Sequence, residues 1–309
     1  MRRTAAAAAC LVALLIGALV ASPSAGAADQ LPVPYQFIPA ALAGGLPGAD
    51  APGTNDWSCR PSAAHPNPVV LVHGTLGNRS TNWQTYGPLL HNNGYCVFAL
   101  TYGATLPIPY PGAFGGLGDI RASAQELGDF VDRVLAATGA AKVDIVGHSQ
   151  GTLMPNYYAK FLGGASKIDH YVSLAPLWHG TGTTGPSGSA QMAAAFPGAD
   201  PLALLGPAFT QMSADSEFIA QMRAGGVAVP GISYTNIVTK YDELVRPYTS
   251  GIEDGMTNVV LQDRCALDFT EHFEIAADRN ASLVVLNALD PAHPRPLTCS
   301  LVLPFVGGL

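Results

Sequence analysis

The pentapeptide Gly147-His148-Ser149-Gln150-Gly151 follows the apolar run Val143-Asp144-Ile145-Val146 and precedes a helix-compatible stretch at 153–161. Gly147 and Gly151 suit a sharp strand-to-helix turn that presents the Ser149 hydroxyl. A hydroxyl becomes a useful nucleophile only when a histidine takes its proton and a carboxylate orients that histidine. In one layout of this chemistry the chain order is serine, acid, histidine. His272, in Asp268-Phe269-Thr270-Glu271-His272-Phe273, is the candidate base, whereas His293 in Asp290-Pro291-Ala292-His293-Pro294 reads as a surface-turn residue. Asp242, in Lys240-Tyr241-Asp242-Glu243-Leu244-Val245, follows a β-rich run and is the candidate acid. Asp254, Asp263 and Asp268 stay open as rivals, and Glu243 reads as a solvated charge.

Such chemistry also needs two backbone N–H groups aimed at a developing oxyanion. Gln150, next after the serine, supplies one. The other is expected from Thr75 in His73-Gly74-Thr75-Leu76-Gly77, with its hydroxyl as an extra donor. His73 and His148 each precede a site residue and read as structural side chains pointing into the scaffold. No Asp/His cluster has a spacing that calls for a metal, so neither metal nor cofactor is expected.

The elements that must hold these residues follow from periodicity. Pro68-Val69-Val70-Leu71-Val72-His73, Cys96-Val97-Phe98-Ala99-Leu100-Thr101-Tyr102, and the runs 143–146, 168–174 and 232–239 read as buried strands. Residues 82–91 can form a helix. Ile120, Ala124, Leu127, Val131, Val134 and Leu135 recur at helical spacing and predict a helix over 120–138 with one buried face. Alternating strands and helices predict a mostly parallel sheet covered on both faces, with function at the carboxyl ends of its strands. Residues 28–64 are expected to form an extended arm. The apolar-rich segment 177–228 breaks the rhythm and is expected to be a cap over a substrate groove, with core filling as the plainer alternative.

The 309 residues, 48% hydrophobic and 12% charged, suit one sizeable domain over 28–309. A formal net charge of -7 argues against nucleic acid as a partner. Residues 1–27 read as a signal peptide: Arg2 and Arg3, an apolar stretch from Ala5 to Val20, helix-breaking Pro23, and Ala25-Gly26-Ala27 as a cleavage site. Export is therefore expected, with no membrane span in the mature chain. Cys59, Cys96, Cys265 and Cys299 remain after cleavage. Four cysteines allow three pairings, of which the sequential one closes two local loops and is favoured without being determined.

Val70-Leu71-Val72-His73-Gly74-Thr75, the Ser149 pentapeptide, Thr239-Lys240-Tyr241-Asp242-Glu243-Leu244-Val245-Arg246-Pro247 and His272 together resemble the secreted class 2 lipases of actinobacteria and, more distantly, yeast lipase B. The resemblance covers most of residues 55–300. It implies an α/β-hydrolase fold, no cofactor and cleavage of carboxylic esters of lipids; the expected partners are an ester substrate and a lipid–water interface. Carried over by motif, Ser149, Asp242 and His272 take the triad roles and Thr75 and Gln150 the oxyanion roles. It also favours Cys59–Cys96 and Cys265–Cys299 as disulfides. The chain departs from yeast lipase B at His73, where that protein has proline, and over 177–228. The expected activity is that of a triacylglycerol lipase or carboxylesterase. An acyltransferase or polyester depolymerase with the same triad, and a silent lipid-binding protein on the same scaffold, are the alternatives.

Overall fold

Strand residues point alternately to opposite faces of a sheet, so a strand covered on both faces must be apolar throughout. A computed structural model of the chain shows this arrangement. It describes residues 30–44, 48–106, 110, 112–184 and 201–308, without the side chains of 201–205. The expected signal peptide at 1–27 lies outside the described residues.

In chain order the elements are α1 (Phe37–Gly44), β1 (Val69–Val72), α2 (Tyr86–Asn92), β2 (Val97–Leu100), α3 (Ile120–Thr138), β3 (Val143–His148), α4 (Gln150–Phe161), β4 (Ile168–Leu174), α5 (Pro201–Gln211), α6 (Glu217–Arg223), β5 (Ser233–Val238), β6 (Thr257–Val260), α7 (Leu261–Arg264), α8 (Arg279–Leu289), β7 (Val302–Leu303) and β8 (Gly307–Gly308). The central sheet runs β2-β1-β3-β4-β5-β6 and every adjacent pair is parallel. Val70 and Val72 pack with Leu127 and Val131 of α3 and Leu153 and Met154 of α4. Val69 and Leu71 pack on the other side with Leu89 and Leu90 of α2 and Val284 and Val285 of α8. These are the two covered faces of an α/β-hydrolase fold, as expected. Among the described residues no helix is long and apolar enough to cross a membrane.

Both sequential disulfides are present, Cys59–Cys96 and Cys265–Cys299. The expected arm at 28–64 needs correction, because Phe37–Gly44 is helical. Pro39 falls in its first turn, where a missing N–H costs nothing, and alanine and leucine favour the rest. The Phe37 N–H donates to Glu274 Oε2 at 2.9 Å, a contact 237 residues away that local pattern could not signal. Strand β6 was also invisible in the sequence. It is four residues long, lies at the sheet edge, and buries only Val259 fully.

Segment 177–228 divides its apolar residues between two jobs. Trp178, Phe218, Ile219 and Met222 fill the core beside α3 and α4. Leu177 and Met212 belong to the same core and, together with Phe209, also line the cavity described next. Met192 and Phe196 lie outside the described residues.

Candidate active site

The turn after β3 is forced by close backbone approach. Ser149 has φ 55° and ψ −125°, a left-handed conformation strained for any residue with a side chain. A Cβ on Gly147 would strike the Gly151 carbonyl, and one on Gly151 would strike the carbonyl oxygens of Val72 and His73. Only glycine fits at both places. The turn is secured by Ser149 N–H donating to Leu174 O at 2.9 Å and by the Thr152 hydroxyl donating to Ser149 O at 2.7 Å. Ser149 Oγ is thereby held up at the head of α4.

The structure brings the three expected residues together. His272 Nε2 lies 2.9 Å from Ser149 Oγ, and His272 Nδ1 lies 2.9 Å from both carboxylate oxygens of Asp242. Asp242 Oδ1 also accepts from the Leu244 and Val245 N–H groups at 3.0 and 2.7 Å, which fixes the carboxylate at the end of β5. Burial opposes a charge on His272, but Asp242, followed by Glu243 and Glu271, outweighs it and raises the imidazole pKa above its ordinary value. Two of the rival acids are engaged elsewhere. Asp268 accepts from Thr270 N–H and from Asn280, and Asp263 pairs with Lys240.

The loop expected to supply the second oxyanion donor lies against the serine turn. Gly74 is so close that an added Cβ would come within 3.1 Å of the Ser149 Cβ. Gln150 begins α4, where helix N–H groups have no intrahelical acceptor. The Thr75 hydroxyl, expected as a further donor, is committed here to Gln150 Oε1 at 3.0 Å. His73 is a scaffold residue. Burial pushes its pKa down to about 4, so it is neutral, with Nδ1 donating to Gly74 O and Nε2 accepting the Tyr102 N–H.

Above Ser149 opens a cavity of about 430 Å³, lined mainly by apolar groups, including Phe37, Leu177, Phe209, Met212 and Phe273. Glu243, the contact made by His148 (itself read as a scaffold side chain) and Glu274 escaped the sequence reading around His272. Glu243 is not a solvated charge: its Oε2 accepts the His272 N–H at 3.1 Å and its Oε1 is buried without a partner among the described residues. His148 is buried, and its Nε2 donates to His272 O at 2.8 Å. Glu274, two residues past His272, is buried with its pKa pushed up to about 8 by burial while it holds the start of α1. Only adjacency to Asp242 and Ser149 could have flagged the first two.

A cluster of Asp144, Asp169 and His170 has side-chain atoms close enough for a metal. Asp144 Oδ1 accepts from Asn67 and from the His170 N–H, and the Asp169 oxygens accept from Asn67 and Lys142.

A strained serine turn at the head of a parallel sheet, with histidine and carboxylate in line, defines the class of α/β-hydrolases with a serine nucleophile arrangement. The family model for lipase (class 2) matches residues 66–284, and the chain belongs to that family. It is 25% identical over 184 residues to lipase B of Pseudozyma antarctica, covering 59% of this chain and 48% of that protein. It is 33% identical over 127 residues to a triacylglycerol lipase of Burkholderia plantarii, covering 40% of this chain and 32% of that protein. The matches thus span less than half the length of these curated relatives. The crystal structure of Aspergillus fumigatus lipase B superposes with a TM-score of 0.59 at 22% identity, over 81% of this chain and 57% of that one, which speaks to the fold.

Proposed function

We propose that this protein is an exported serine hydrolase that cleaves carboxylic esters of lipids, triacylglycerols among them, through an acyl-enzyme. Ser149 Oγ attacks the ester carbonyl while His272 Nε2 takes its proton; Asp242 orients the imidazole and stabilises the imidazolium. The Thr75 and Gln150 N–H groups receive the oxyanion, and His272 returns the proton to the departing alcohol. Water activated by the same histidine then releases the acid. The observation that carries this reading is the unbroken Ser149–His272–Asp242 hydrogen-bonded line at the floor of an apolar cavity.

Further features support the finer parts. Two disulfides fit an exported chain, in keeping with cleavage after residue 27. Leu76, Phe114, Leu244 and Phe273 both line the cavity and stand exposed at its mouth, which suits a lipid–water interface. Phe209 and Met212 reach the cavity from 177–228, which suits a cap role for that segment.

The test is Ser149→Ala, assayed with p-nitrophenyl esters from C2 to C16 below and above their solubility. Turnover is expected to vanish with the fold intact, and retained turnover would sink the mechanism. Added alcohol distinguishes hydrolysis from acyl transfer by its products. Failure of wild-type Ser149 to take a fluorophosphonate label would point to a silent binding protein.

A further inference from the structure

His272 belongs to neither a helix nor a strand; it precedes a short 3₁₀ turn at Glu274–Ala276. Its partners stand on rigid ground, Ser149 at the head of α4 and Asp242 just past β5. Its own place must come from contacts. The main chain of His272 is held on both sides by side chains. Its N–H donates to Glu243 Oε2 at 3.1 Å and its C=O accepts from His148 Nε2 at 2.8 Å. Glu243 is the residue after the candidate acid, and His148 the residue before the candidate nucleophile.

We propose that His148 and Glu243 are positioning residues which clamp the His272 backbone, so that the turns carrying Ser149 and Asp242 also set the distance between His272 and both. This rests on the proposed role of the Ser149–His272–Asp242 line. Chemistry of this kind is sensitive to placement: an error of about 1 Å can cost roughly 100-fold in rate.

The details favour a clamp over a purely stabilising role. Glu243 Oε1 is buried without a partner among the described residues, an arrangement that costs folding free energy. His148 is neutral, because burial pushes its pKa down to about 3. Its one proton is assigned to Nε2, because His272 O, at 2.8 Å, is the nearer of the two oxygens facing the ring, Asn82 Oδ1 being at 3.1 Å. Asn82 Oδ1, which accepts the Gly74 N–H at 3.2 Å, also lies 3.1 Å from His148 Nδ1. The same side chain therefore ties the clamp to the loop that carries Thr75.

Glutamine separates the two readings at both positions. At 243 its side-chain oxygen keeps an acceptor for the His272 N–H but removes the charge. At 148 its side-chain N–H₂ can donate to the His272 carbonyl. The experiment compares E243A, E243Q, H148A and H148Q with the whole wild-type protein. It measures kcat and KM on a soluble p-nitrophenyl ester, the pH profile of kcat/KM, thermal unfolding, and fluorophosphonate labelling to count folded sites. Both alanine variants are expected to lose roughly 10- to 100-fold in kcat per folded site, with KM within about threefold. The glutamine variants recover most of that loss.

Asp242, Glu243, Glu271 and His148 face the His272 ring or its backbone, and Glu243 is among the charges that raise its pKa. Both Glu243 variants therefore move the acid limb to lower pH, while neutral His148 variants leave it in place. Wild-type kcat in a folded E243A or H148A overturns the proposal. So does a glutamine variant as impaired as its alanine counterpart. If the alanine variants fail to fold, near-native kcat in E243Q and H148Q supports the clamp and its loss refutes it. Absence of labelling and turnover in the wild type would instead overturn the functional reading itself.

Discussion

Aspartate–histidine pairs occupy both ends of the same sheet. At the carboxyl ends of the strands, His272 meets Asp242 at 2.9 Å. At the amino ends of β3 and β4, His170 Nδ1 meets Asp144 Oδ1 at 3.1 Å. The pair chemistry is nearly the same, and each carboxylate holds its histidine's pKa above the ordinary value. What differs is the rest of the surroundings. His272 is 3% exposed, has a serine hydroxyl on its second nitrogen and opens onto an apolar cavity. His170 is partly exposed and shares its aspartates with Lys142 and Asn67. An Asp–His pair is thus a common structural contact. It becomes a candidate proton relay where the sheet brings a strained serine and an apolar cavity to it.

The largest contrast should come from matched substitutions. Asp242→Asn is expected to lower kcat by roughly 10⁴-fold, whereas Asp144→Asn should leave kcat within about twofold. Equal losses in steady-state assays of the two variants would erase the distinction.

The disulfides sharpen it at a smaller scale. Each closes a loop of similar length, with sequence separations of 37 and 34, and the chain-entropy model assigns each about 4 kcal/mol. Denaturant unfolding of the two Cys→Ser double variants should show similar losses. Only the Cys265–Cys299 loop contains His272, so only its removal should also reduce kcat in protein that remains folded.

The smallest effect is in pH dependence. The acid limb of kcat/KM should follow His272, with activity gained as pH rises through a pKa above 6.5. His170 should act on stability alone. Hydrogen bonding to Asp144, against the opposing effect of burial, raises its folded pKa. Its stabilising contribution is then complete below the unfolded value near 6.5 and is lost as pH rises through the folded one. His170→Asn should flatten that part of the stability–pH curve and leave the rate profile alone. A shifted acid limb in His170→Asn would mean the two ends are coupled.

The sequence reading succeeded where local pattern and long-range packing demand the same residues. The runs at β1 and β3 are apolar throughout because both faces are covered, and α3 shows its buried stripe at helical spacing. The two elbow glycines announce a turn that tolerates no Cβ. It failed where a residue's role is set by distant neighbours. Helix α1 is tied down by Glu274, 237 residues away from Phe37. Glu243 looked solvated because nothing nearby in the chain says that the His272 N–H will meet it. The scattered large apolar residues of segment 177–228 left cap and core filling as alternatives, and Phe218 goes to the core while Phe209 lines the cavity.

By itself, the sequence determined the parallel α/β architecture, the serine turn and the chain order of the candidate serine, acid and histidine, because each is written in short-range periodicity or in a residue type with few conformational alternatives. Tertiary structure alone decided which Asp–His pair faces a serine, which carboxylates are buried and what holds His272 in place. Those outcomes depend on hydrogen bonds and desolvation between segments 29 to 124 residues apart, and no local pattern encodes them.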